Sequence, residues 1–106
     1  MSVETVMVYD PGALDASLAA AVGADHLLLK ELRAAFVEGA ARHADLMSRA
    51  RCDANWNHSA SRLKSLAGSF GAVGMMELAD EALSGAPGDP VVLKKIQAAL
   101  DDFAVD

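Results

Sequence analysis

Cysteine, aromatic residues and positive charge are all scarce in this sequence, and each shortage removes a class of answers. Cys52 is the single cysteine, so the chain makes no internal disulfide and no thiolate metal cage, and its cysteine usage suits a reducing compartment. A reactive thiol needs an activating neighbour. Arg51 is a weak one, and Cys52 is expected to be partly buried and inert. Nine Lys and Arg stand against fifteen Asp and Glu, a formal net charge of -6. Such a surface repels phosphate backbones and anionic lipid headgroups, so nucleic-acid and membrane binding are not expected. No stretch approaches the roughly 20 apolar residues of a membrane span. The start, Met1-Ser2-Val3-Glu4, carries no basic n-region leading into an apolar run. A cytoplasmic location is expected.

What the chain does have is apolar residues, 53% over 106 positions, enough for one domain (1–106) with one core and too few for two. Ala and Leu, both strong helix formers, dominate that content. Residues 1–9 contain Val3, Val6, Val8 and Tyr9 and fit either a strand fragment or an arm. Asp10-Pro11 reads as a cap followed by proline at the first helical position, opening a short helix that ends at Gly23. Asp25 caps the longest helix, to about Arg51, with Leu29, Leu32, Phe36, Gly39, His43, Leu46 and Ala50 spaced by three and four. His43 lies on that line with no Cys or second His three or four residues away, and is read as a hydrogen-bonded structural histidine rather than a metal or proton site. His26, in the first turn, should be exposed.

Asp53 is read as the cap of a helix over 54–70 that Gly71 stops. A further amphipathic helix (72–84) and a last one opened by Asp89-Pro90 (89–104) follow. The seam residues Leu32, Phe36, Leu63, Phe70, Leu93, Ile96 and Leu100 should be buried. Nothing alternates with period two for long. Short links between amphipathic helices predict an all-α fold, an antiparallel up-and-down four-helix bundle with a short extra N-terminal helix.

Turning about 100° per residue along 53–70 gathers Trp56, Ala60, Leu63, Ala67 and Phe70 into one inward arc. The opposite side carries His58, Ser61, Ser65 and Gly68, flanked by Arg62, Lys64 and Ser69. A solvent face is ordinarily filled with long charged side chains; small residues and a mid-helix glycine, which costs about 1 kcal/mol of helix propensity, let another backbone approach closely.

The run Ala60-Ser61-Arg62-Leu63-Lys64-Ser65-Leu66-Ala67-Gly68-Ser69-Phe70-Gly71-Ala72 resembles the signature of histidine-containing phosphotransfer (Hpt) domains, roughly His-x-Leu-Lys-Gly, then small residues, then Gly-Ala at the helix end. Leu63, Lys64, Gly71 and Ala72 match it directly, and the order of helices resembles the family over nearly the whole chain. The resemblance implies a bundle that passes a phosphoryl group between histidine and the aspartate of a response-regulator receiver domain, or of a hybrid histidine kinase, with no cofactor and no metal. Two departures bear on function. Ser61 stands where the family carries its phosphorylated histidine, and Ser65 where it carries glycine. A phosphohistidine is a high-energy phosphoramidate; a phosphoserine is a stable ester and cannot serve as a relay.

His58, one turn before Ser61, is the remaining candidate acceptor, displaced by about 4.5 Å along the axis and about 60° around it. Imidazole is the right chemistry and Arg62 and Lys64 are at hand, but phosphoryl transfer rests on positioning, and a misplacement of about 1 Å costs about 10²-fold. The other reading of His58 is an ordinary exposed residue. The expected function is therefore an Hpt-like docking module for receiver domains, monomeric, with Ser61, Arg62, Lys64, Ser65 and Gly68 on the docking face and transfer lost or carried by His58. No independent catalysis is expected: the carboxylates Glu77, Asp80, Glu81, Asp101 and Asp102 have no partner histidine at a useful spacing. The contrasting expectation is a structural helical module that self-associates through an apolar seam.

Overall fold

A computed structural model of the chain describes residues 25–104. Residues 1–9 and the expected helix over 10–22 lie outside them. The described residues form four helices, α1 (His26–Ser48), α2 (Asp53–Phe70), α3 (Val73–Ser84) and α4 (Pro90–Ala104), with no strand among them.

Local chemistry sets most of the helix ends. The Asp25 carboxylate accepts the Leu28 N–H at 3.0 Å, one of the donors that a first turn leaves unpaired. Asp89 accepts the Val91 N–H at 2.9 Å in the same way, ahead of Pro90, whose missing N–H and fixed φ suit the first helical position. Gly71 ends α2 in the left-handed region at φ 73, ψ 22. Its N–H and that of Ala72 turn back to the carbonyls of Gly68 and Ala67 at 3.2 and 2.8 Å, the paired bonds of a Schellman ending.

Two boundaries differ from the sequence reading. α1 stops at Ser48 rather than Arg51, because Ala50 donates to the Met47 carbonyl at 3.1 Å and tightens the chain out of the helix. The extended residue before α2 is then Cys52, at φ -145, ψ 162, so Asp53 is the first helical residue and no side chain caps the end. Asp53 still places a negative charge in the first turn, where the helix dipole favours it. Cys52 is exposed rather than partly buried, since the linker holds it outside the core.

The helices pack in a ring: α2 against α1 and α3, and α4 against α1 and α3. Their shared interior is aliphatic, with Leu63, Met75, Leu78 and Ile96 excluded from solvent. Aromatic groups close it at both ends. Phe36 meets Phe70 and Phe103 with ring centroids 5.4 Å away in each case, tilted against the first and edge-on to the second. Such pairs contribute about 0.5–1.5 kcal/mol beyond the area they bury. At the other end Trp56 is buried and donates its indole N–H to the Ala82 carbonyl at 3.1 Å, tying α2 to α3.

The inward line of α1 is Phe36, Ala40, Ala44 and Met47, and Leu46 is 44% exposed. The expected line through His43 and Leu46 is thus displaced by about one position: those residues turn toward α2 rather than into the centre. Of the predicted seam, Phe36, Leu63, Ile96 and Leu100 are buried, while Leu32, Phe70 and Leu93 pack only partly covered against the core. Among the described residues no helix is long and apolar enough to cross a membrane.

Candidate functional site

The outward face of α2 exists because its inward face is so firmly placed. Trp56, Ala60, Leu63 and Ala67 are each at most 1% exposed. A helix pinned along that line must present His58, Ser61 and Ser65 to solvent, and all three are exposed, as are Arg62 and Gly68. Ser65 also accepts a bond at its carbonyl, from the Ser69 hydroxyl at 3.1 Å.

The cations do not converge. Relative to Ser61, Arg62 lies about 100° to one side of the helix and Lys64 about 60° to the other. The neighbouring helices follow that division. Lys64 leans toward α3, where its ammonium meets the Asp80 carboxylate at 2.6 Å. Arg62 leans toward α1, where its charge acts on His43. The two basic residues therefore flank the crest of the helix instead of forming one pocket.

The α1 side of the face escaped the sequence reading. Leu46, Arg49 and Ala50 of α1 and Asn55, His58 and Ser59 of α2 line an open groove of about 390 Å³. The half-exposed Leu46 makes part of its wall. One turn further along, His43 is partly buried, and its Nδ1 is shut off from solvent without a hydrogen-bond partner. That corrects the expectation of a hydrogen-bonded histidine. Its pKa is lowered from the usual 6.5, first by burial and then by the nearby charges of Arg62, Arg42 and His58. Burial and these charges all favour the neutral imidazole. Gly39 was the one sequence signal of this approach: a Cβ there would come within 2.9 Å of a Leu66 methyl, so only glycine lets Leu66 settle against α1 without displacing it.

The α3 side was likewise unseen. Met76 lies against Gly68, with its sulfur and methyl 3.7 Å from where a Cβ would stand. Met76 and Asp80, one turn apart on α3, thus run alongside Gly68 and Lys64, one turn apart on α2. The remaining carboxylates are on exposed helix surfaces: Glu81 pairs with Lys95 at 2.9 Å, and Asp101 accepts from Gln97 at 3.5 Å. Among the described residues no group of three or more His, Cys, Asp or Glu side chains is arranged to hold a metal ion.

Compared with known proteins, the chain matches no family profile, no curated protein and no solved structure. The residues that resemble the Hpt signature are not all on the exposed face. Each matched residue has a distinct physical place: Leu63 in the core, Gly71 in the left-handed turn, Ala72 buried behind it, and Lys64 at the edge of the face.

Proposed function

We propose that this chain is an Hpt-like phosphorelay module that docks response-regulator receiver domains, with histidine phosphotransfer lost at Ser61 or carried by His58. The observation that carries this reading is the exposed Ser61 standing between Arg62 and Lys64 while Leu63, two residues on, is fully buried. The signature would be incidental if its leucine faced solvent and its acceptor position faced the core. The four described helices and their short links support the same reading, in which they form an antiparallel up-and-down bundle with a short N-terminal helix, acting as a cytoplasmic monomer.

In this reading the face supplies shape and charge rather than catalysis. Ser61, Ser65 and Gly68 leave room for the partner, and Arg62 complements the acidic pocket that presents its phosphorylated aspartate. Transfer to His58 breaks the acyl-phosphate P–O bond and forms a P–N bond to the imidazole, whose N–H proton goes to solvent. His58 borders the groove with Leu46 and Asn55, so a partner using it must sit nearer α1 than one centred on Ser61.

The test is acid-labile, base-stable labelling from a phosphorylated receiver, applied to wild type, to Ser61→His with Ser65→Gly, and to His58→Ala. If only the acceptor is missing, the double variant gains label where wild type has little. Label on wild type that disappears in His58→Ala assigns the relay to His58. No label on a folded, receiver-binding double variant defeats the view that the face differs from a working one by its acceptor alone, and absence of receiver binding defeats the docking reading itself.

A further inference from the structure

We propose that Asp80 is an intramolecular guard on the docking face: it occupies Lys64, so an acidic partner engages that lysine only by displacing the Asp80 carboxylate. The inference rests on the docking reading above and adds a residue that sets the strength and selectivity of docking.

Three observations lead to it. Lys64 and Asp80 meet at 2.6 Å, yet their side chains remain 42% and 54% exposed, so the pair is open to competition. Met76 against Gly68 fixes the same register one turn away, which makes the α3 edge a rim of the face rather than a chance contact of one long side chain. Arg62, on the opposite flank, has no ion-pair partner among the described residues. The face therefore carries one open cation and one that is already satisfied.

Exposed ion pairs are weak, so an incoming carboxylate cluster readily exchanges this one for its own bonds. Once Lys64 is released, Asp80 is left uncompensated and repels the cluster, since like charges in contact suppress unsuitable partners. A weakly acidic surface meets Arg62 and is turned away by Asp80. A strongly acidic one, such as a receiver's phosphorylation pocket, displaces it. The guard thus biases an otherwise acidic protein toward partners with clustered carboxylates.

The experiment measures affinity by titration calorimetry against a panel of purified receiver domains, at low and moderate salt, for wild type, Asp80→Asn, Lys64→Met and the double variant. Asp102→Asn, a loss of equal charge at an exposed position of α4 rather than α3, is the control. Asp80→Asn should tighten binding about two- to fivefold, the range of an exposed pair, and more strongly at low salt. On the Lys64→Met background the same change should gain less, because only charge repulsion and no ion pair is left to remove, and equal gains on the two backgrounds would also overturn the proposal. Equal gains from Asp80→Asn and Asp102→Asn would reduce the effect to net charge and overturn the proposal, as would no gain from Asp80→Asn in a receiver that wild type binds. If neither wild type nor any variant binds a receiver, the docking reading fails first and the guard role falls with it.

Discussion

Replacing Trp56 by Phe keeps an aromatic ring in the core and deletes one hydrogen bond between α2 and α3. The Ala82 carbonyl belongs to the last turn of α3, which ends at Ser84, so the residue that would bond it within the helix lies beyond the helix end. The Trp56 indole supplies the donor instead, at 3.1 Å and out of contact with water. Phe leaves that carbonyl buried and unpaired, at about 1–3 kcal/mol. The smaller ring also forgoes roughly 40 Å² of apolar burial, about 1 kcal/mol at about 25 cal/mol per Å². The sum, about 2–4 kcal/mol, corresponds to a fall in Tm of roughly 10–25 °C for a domain of this size. Urea and thermal unfolding followed by circular dichroism measure it. Native-state amide exchange should show the loss concentrated in the first turns of α2, where His58 lies. A destabilisation below about 1 kcal/mol would refute the reasoning, since it would mean that the buried carbonyl needs no donor.

Two further outcomes follow from the same structure. Leu63→Ala should destabilise by about 2–5 kcal/mol and Ser61→Ala by no more than about 0.5 kcal/mol; denaturant midpoints compare them, and similar costs would invert the two faces of α2. The lowered pKa of His43 means that the unfolded chain takes up its proton first as the solution is acidified. Its contribution to stability is therefore complete above about pH 6.5 and declines as pH falls from there through the lowered folded value. His43→Leu should flatten the stability profile in that window relative to wild type, and parallel profiles would remove the histidine from the account.

Much of this architecture is decided within a few residues of chain, and that much is legible in the sequence. The Asp25 and Asp89-Pro90 starts and the Gly71 stop act through bonds to residues no more than a turn away. The two faces of α2 follow from helical periodicity, because Trp56, Leu63 and Ala67 leave one inward direction. The inner stripe of α1 is where periodicity failed. Its apolar positions allow a line through Leu46 or through Met47, and only the placing of α2 and α4 on either side selects Met47. What lies beside the site is decided by the tertiary structure alone. The pairing of Lys64 with Asp80, the seat of Leu66 over Gly39, and the position of His43 near Arg62 and His58 all depend on how far one helix has slid along another. That offset is set by the packing of whole helix faces, so no local pattern of residues carries it.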